Sequence, residues 1–476
     1  MDNSLAISSI YDTIPPLLTE AEFISKGGKK CQIILKKAAK LARNLLLKIC
    51  ANLIEFLNKI IFSEDFISRC RQSENDFKRN RLLPFHTMIF FLMNMIKGSL
   101  QDELDYFFKA IHAEDISTRT VTKSAFSKAR KKLHYQAFIA LSRSLASFFY
   151  EHFPCRTWSG FRLLAIDGST LKTPRTEECV AHFGTWNPAK GEACPIARIS
   201  SLFDVLNGIA VDAVIRPKTQ GERSLAAEHM EHVKANDLIL LDRGYPAFWF
   251  FALILSKQAH FCARVKSQWE QVRKFTNSGK REDVVSLPIS FPSIKQCNAL
   301  NLPISPIRVR AIRIELPGGE TEILLTSLMD KELYPHELFK ELYHLRWTVE
   351  ENYKTAKCRI EIENFSGKSV ESVYQDFHAK AFAMNLAAAM THPAQDVISG
   401  QREQKKHPYR VNFTQALSKM KDSLVLLFLR PDIMELIHKL HDLFIATIEP
   451  VRPGRNYPRN HSIQKKGFFT CYKPIR

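Results

Sequence analysis

Four residues of the stretch YHLRWTVEENYKTAK, namely Tyr343, Arg346, Glu350 and Lys357, follow one another at spacings of 3, 4 and 7. On an α-helix, at roughly 100° per residue, they fall within an arc of about 60°. One carboxylate then shares a stripe with two cations and a phenol. A neighbouring stripe is apolar, made of Leu342, Leu345, Val349, Tyr353, Ala356 and Ile360. The polar stripe therefore borders a buried face rather than open water. It suits a phosphodiester held beside a metal-ligating carboxylate. Taken alone, an acid with these neighbours is also the ordinary pattern of a solvated, charge-paired helix face. Glu351 falls about 80° round from Tyr343, off the stripe, so the spacing selects Glu350.

Two upstream segments supply further acids. LLAIDGST ends an apolar run on Asp167, and LILLDRGY ends another on Asp242. Short uniform apolar runs read as strands buried on both faces. An acid at the C-terminal end of such a run lies at the sheet edge, where open sheets carry their sites. A single strand-end Asp is as readily a turn or cap residue. Two of them, each closely followed by Gly, plus a carboxylate on a later polar helix stripe, make a three-carboxylate set. Such a set can hold two divalent ions that stabilise the attacking and leaving oxygens of an in-line phosphoryl displacement.

These residues resemble the bacterial insertion-sequence transposases of the DDE type. Tyr343, Arg346, Glu350 and Lys357 match the family's Y-x2-R-x3-E-x6-K signature, and Asp167 in AIDGST and Asp242 in LLDRGY match its two aspartate motifs. TKSAFSKARKKL (122–133) is similar to the family's N-terminal pattern, so the likeness runs over roughly residues 120–390. The resemblance implies two Mg²⁺ ions, replaceable by Mn²⁺, held by Asp167, Asp242 and Glu350. It implies phosphate contacts from Tyr343, Arg346 and Lys357. It also implies double-stranded DNA as partner, both the terminal inverted repeats and the target, with a 3′-hydroxyl joined to target DNA. A hairpin intermediate and a homodimer that synapses two ends belong to the same implication. Two rival readings share the residues: a nuclease of the same fold that cuts without joining, and a transposase-derived protein that only binds DNA.

Charge agrees with a polyanionic partner. The net charge is +19, and it is unevenly placed. Residues 1–160 carry 24 Lys and Arg against 15 Asp and Glu, residues 161–400 carry 29 against 28, and residues 401–476 carry 15 against 6. Both ends are basic around a nearly neutral middle, an electrostatic footprint for nucleic acid that says nothing about sequence preference. The ten cysteines are scattered with no C-x2-C pair, which excludes zinc ribbons and redox motifs of that spacing. LLPFHTMIFFLMNMI (82–96) is the greasiest stretch, too short to span a bilayer, and reads as a buried helix. With no basic n-region at the start, the expected compartment is the cytoplasm, beside the nucleoid, with no membrane partner.

The elements that must position the acids follow from pattern. The fold class expected is α/β: an RNase H-like catalytic core with a β-rich insertion, flanked by helical N-terminal and C-terminal regions. Residues 1–150 read as a helical DNA-binding region, with 29–61 one amphipathic helix and 82–150 three more. Thr122 caps the second of those three, and Lys128, Arg130, Lys131 and Lys132 follow as candidate DNA contacts or as a solvated basic face. The catalytic region spans 160–390. It begins with RLLAIDGSTL as a strand, a hairpin around Asn207-Gly208, a helix over 224–234 and DLILLDRGY as the fourth strand. This order puts Asp167 and Asp242 on adjacent strands at the sheet centre, with Glu350 arriving later on one long helix. Residues 267–332 read as the insertion. Trp269 there is either a ring that stacks on a base or a packed side chain. Residues 391–476 read as a helical C-terminal region with a basic, aromatic-rich tail.

Overall fold

The chain begins in helices. The computed structural model describes residues 29–79, 82–186, 193–266, 269–316, 319–400, 407–421 and 423–452. Residues 1–25, whose sequence with Pro15-Pro16 reads as weakly ordered, and the basic tail beyond its first two residues lie outside these. The described chain opens with α1 (Lys29–Ile61), α2 (Glu64–Cys70), α3 (Phe85–Met93), α4 (Leu100–His112), α5 (Lys123–Arg130) and α6 (Gln136–His152). The segment expected to hold three helices thus holds four. The greasy stretch becomes α3, buried along nearly its whole length. Among the described residues no helix is long and apolar enough to cross a membrane. Thr122 caps α5 as its sequence context predicts, its hydroxyl accepting the Ala125 N–H at 3.2 Å.

The sheet follows: β1 (Arg162–Lys172), α7 (Glu177–Phe183), β2 (Thr185–Trp186), β3 (Cys194–Asp204), β4 (Ile209–Pro217), α8 (Glu222–Glu228), a 3₁₀ turn at His229–Glu231, β5 (Asp237–Leu241), α9 (Phe248–Ser256) and β6 (His260–Val265). β3 runs antiparallel to both β1 and β4, while β5 lies parallel to β1 and β6 parallel to β5. The spatial order β4-β3-β1-β5-β6, with only the second strand reversed against the first, fourth and fifth, is the RNase H-like arrangement. The 224–234 helix is shorter than expected, giving way to the 3₁₀ turn at His229.

Side-chain alternation decides which face the acids use. Leu164, Ile166, Ile239 and Leu241 pack on one face with Phe250 and Phe251 of α9. Leu163, Ala165, Leu238 and Leu240 pack on the other with Leu342, Tyr343 and Val349. Asp167 and Asp242 continue the second series. They therefore face the signature helices, not α9.

The described strands of the 267–332 insertion join the core sheet. The segment contains α10 (Glu270–Asn277), β7 (Glu282–Leu287), α11 (Phe291–Ala299), β8 (Ile307–Glu315) and β9 (Thr321–Thr326), and β9 pairs antiparallel with β6. The core sheet is thereby lengthened to β6-β9-β8-β7, with two helices in the same segment. Next come α12 (Leu338–His344), α13 (Trp347–Cys358) and α14 (Val370–Gly400), then β10 (Tyr409–Val411), α15 (Phe413–Met420), α16 (Ser423–Leu429), α17 (Ile433–Ala446) and β11 (Ile448–Pro450).

The described residues form two compact units, 59–386 and 29–58 with 387–452. One division thus falls inside α1. In the second unit Asn58 donates to the Phe428 carbonyl at 3.1 Å, and Arg43 pairs with Asp442. In the first, α5 is fastened to α14. Arg130, expected to contact DNA, is buried. Its guanidinium donates to Gln375 at 2.8 Å, Ser366 at 2.8 Å and Asp376 at 3.0 Å. Its charge is spent on a buried carboxylate, so Arg130 is a structural residue. We expect Arg130→Ala to cost about 3–5 kcal/mol in chemical denaturation, because Asp376 would be left as an unpaired buried charge. A loss below about 1 kcal/mol would show the pair to be dispensable.

Candidate active site

The parallel pairing of β1 with β5 ends at Ile166 opposite Leu241. The next residues on each strand are Asp167 and Asp242, so register alone makes the two acids neighbours. β1 runs on to Lys172 against β3, which places Asp167 mid-strand and not, as its apolar run suggested, at a strand end. Asp242 does follow its strand. It opens a tight turn in which its carbonyl accepts the Tyr245 N–H at 3.0 Å.

The expected single helix is broken at Leu345-Arg346 into α12 and α13. Arg346 N–H bonds the Tyr343 carbonyl and Val349 N–H bonds the Arg346 carbonyl, tighter i to i+3 contacts. The stripe survives the break. Arg346, 1% exposed, donates from Nη2 to Glu350 at 2.7 Å, and its Nη1 lies 3.7 Å from Asp167 Oδ2. Arg264 of β6 donates to Asp242 Oδ1 from Nε at 3.0 Å and Nη2 at 2.6 Å. Glu351 is exposed and pairs only with Lys354, as its position off the stripe predicts. Lys357 donates to Ser169 on β1 at 2.6 Å.

Burial pushes the Asp167 carboxyl up to about 6, the Gly168 N–H and Arg346 oppose it, and Glu350 and Asp242 add to it. Burial acts on Asp242 too, but there the Arg243 N–H and the Arg264 guanidinium win and hold it below the usual carboxylate range. Adjacent acids are thus driven apart, one toward keeping its proton and one toward losing it.

A model of the transposase DDE domain matches residues 158–386. The transposase InsG for insertion sequence element IS4 of Escherichia coli (strain K12) is 26% identical over 337 residues, 68% of this chain and 73% of that protein. Residues 158–386 thus carry a transposase DDE domain of the insertion-sequence kind. A second relative, putative transposase InsZ of the same organism, is 29% identical over 109 residues, 22% of this chain and 36% of InsZ. Among solved structures, a piggyBac transposase synaptic complex with hairpin DNA aligns with 85% of this chain and 87% of that one, at 10% identity and a TM-score of 0.42. That likeness is too loose to add to the strand order. The matched domain spans β1 to α14 and so contains all three acids.

Such a domain implies an enzyme that acts on DNA with divalent metal. The donor set fits such an ion: three carboxylates, all oxygen, close enough that Glu350 and Asp242 raise the proton affinity of Asp167. Among the described residues no three His, Cys, Asp or Glu side chains are already drawn into a metal cage. Arg346 bridges Asp167 and Glu350 instead, so a cation must compete with a guanidinium for Glu350.

Other candidates fare differently in this transposase. Tyr343 is buried and donates to the Leu241 carbonyl at 3.3 Å, so it anchors the end of β5 instead of facing DNA. Trp269 is half-buried and meets Phe251 in a T-shaped contact with ring centroids 6.0 Å apart, so part of its ring is taken up by packing. Lys128, Lys131 and Lys132 are exposed, Lys132 beside Asp76 at 3.2 Å. Four groups escaped the sequence reading. Tyr353, counted there as apolar, donates its hydroxyl to the Asp167 carbonyl at 2.8 Å. Arg264 restrains Asp242. Tyr245 is buried with an unpartnered hydroxyl, which the absence of a side chain at Gly168 accommodates: a Cβ there would stand 3.2 Å from it. Glu222 lies over the same glycine. The DRGY context was the only available signal for Tyr245, and the others had none.

Asp167 yields a pH test. Folding raises its carboxyl, so stabilisation of the protonated form is present at low pH and is lost as pH rises through about 6. A cation must displace that proton below this value. Calorimetric Mn²⁺ binding should therefore weaken by up to about tenfold per pH unit below 6 and level off above 7, with proton release only in the acidic range. Affinity independent of pH from 5 to 8 would show that Asp167 does not ligate.

Proposed function

We propose that this transposase binds the inverted-repeat ends of its element, cleaves them by two-metal phosphoryl transfer and joins the 3′-hydroxyl ends to target DNA. The observation that carries the reading is the register that sets Asp167 beside Asp242 on the face where Glu350 and Arg346 arrive. In this reading Asp167, Asp242 and Glu350 are the metal ligands. Two Mg²⁺ ions, or Mn²⁺ in their place, supply Lewis-acid stabilisation of the attacking and leaving oxygens when bound. The chain's own work is to orient and to balance charge. Arg346 has two nitrogens, Nε and Nη1, buried without hydrogen-bond partners. The two point to different sides of the guanidinium, so a phosphodiester oxygen reaching Nη1 would make a single charge-assisted contact. Lys357 would meet the next phosphate, and Tyr343 would keep the floor of the site in place.

Lys128, Lys131 and Lys132 on α5 are proposed as backbone contacts that hold the duplex without reading its sequence. A homodimer synapsing two ends, acting on nucleoid DNA in the cytoplasm, completes the proposal. Removing residues 1–150 would not isolate end recognition, because α5 and α6 share polar bonds with the catalytic region, Tyr150 with Asp204 at 2.9 Å among them.

The test uses a supercoiled plasmid bearing the two DNA segments that bracket the gene. Asp167→Ala, Asp242→Ala and Glu350→Ala should each abolish cleavage while gel-shift affinity persists, and Glu351→Ala should cleave normally. An active Glu350→Ala with an inactive Glu351→Ala would overturn the assignment. Cleavage without joined products would favour the nuclease, and binding without metal-dependent nicking would favour a DNA-binding protein. Separately, Lys128→Glu with Lys131→Glu should weaken binding to specific and random DNA alike and flatten the salt dependence by about two charges. Unchanged binding across a salt titration would remove α5 from the interface.

A further inference from the structure

Behind β1, on the side away from the signature helices, a polar chain runs through otherwise apolar packing. His229, fully buried on the 3₁₀ turn, sets Nδ1 2.7 Å from Asp212 Oδ2 of β4 and Nε2 2.9 Å from Ser200 Oγ of β3. Ser200 Oγ in turn lies 3.3 Å from the Asp167 main-chain carbonyl. His232 stands 3.7 Å from the other Asp212 oxygen, and Arg143 lies 3.4 Å beyond it. Burial works against the Asp212 charge, yet its bond to His229 and the neighbouring cations hold the carboxyl below its usual range. An ionised Asp212 accepts a hydrogen bond from Nδ1–H. Ser200 has one hydrogen and two acceptors within reach. The ring thus touches Asp212 through Nδ1 and Ser200 through Nε2, and the Ser200 hydroxyl reaches the Asp167 carbonyl, one continuous line of polar contacts from β4 to β1.

We propose that His229 is a positioning residue for the metal-binding carboxylate, with Asp212 orienting its ring and Ser200 passing the constraint to β1 at Asp167. The proposal rests on the reading of Asp167 as a metal ligand. Asp167 needs such support because β5 has ended one residue earlier, so the parallel ladder no longer braces it. Tyr353 holds its carbonyl from the helix side at 2.8 Å, and Ser200 holds it from the sheet side. A ligand fixed from both sides loses little freedom when it takes a cation, and outer partners of this kind characteristically tune affinity.

His229→Asn keeps a donor at the Nδ1 position and loses reach to Ser200, whereas His229→Gln keeps a donor near Nε2. Ser200→Ala deletes only the hydroxyl. Without DNA, calorimetric Mn²⁺ affinity should fall about tenfold or more in Ser200→Ala and His229→Asn, and less in His229→Gln. The two losses should not add in the double variant, since each breaks the same chain. Gel-shift affinity for the plasmid ends should hold. If Ser200→Ala and His229→Asn melt earlier but bind Mn²⁺ as the wild type does, the chain is a packing feature and the proposal falls. If Mn²⁺ binds the wild type no better than it binds Asp167→Ala, the metal-ligand reading itself fails, and the positioning role falls with it.

Discussion

Carboxylates repel one another, and the edge where β5 ends gathers three of them in half-buried surroundings. The buried guanidinium of Arg346 makes this tenable. It touches Glu350 and approaches Asp167, while Arg264 neutralises Asp242 from β6. Without these two cations the desolvation of three like charges would disfavour the closed site by several kcal/mol. Much else is arranged around that balance. The tight break between α12 and α13 sits at Arg346 itself, and its guanidinium lies over the Tyr343 ring at 5.8 Å and the Trp347 ring at 5.2 Å from the centroids. A phosphate and its cations would replace these ion pairs, so the free enzyme holds the charges that substrate later satisfies.

The acids were legible in the sequence because their signals are local. Uniform apolar runs ending in Asp167 and Asp242 read as central strands, and alternation then sends both side chains to one face. Helical spacing separates Glu350 from Glu351 without any tertiary knowledge. Arg130 was misread for the opposite reason. Its partners Gln375 and Asp376 lie far along the chain, and nothing near Arg130 distinguishes a buried guanidinium from a DNA contact. Trp269 sits in a polar context, yet Phe251 reaches it from another helix. PIRVRAIRIEL and EILLTSL show strand-like composition, but pairing partners are not written in a strand's own residues, so the sequence did not reveal that the insertion lengthens the core sheet.

The polar support of Asp167 is illegible in the same way. Ser200, His229 and Asp212 come from a strand, a turn and another strand, and only the antiparallel pairing of β3 with β1 and β4 brings them into line. The two motif glycines carry a related lesson. Gly168 is small so that Tyr245 can approach β1, which links the first aspartate motif to the second through a close contact that spacing cannot express.

The lengthened sheet also solves a problem of its own. A sheet that stopped at β6 would leave the main-chain donors and acceptors of HFCARV, a strand buried at four of its six positions, open to pairing with a neighbouring molecule. The β9-β8-β7 extension covers that strand and moves the open border to β7, whose sequence EDVVSL begins with Glu282 and Asp283, both tied into ion pairs with lysine and arginine side chains. A charged, half-exposed border is a poor template for self-association. The same segment that widens the molecule thus guards it against aggregation while the chain is being made.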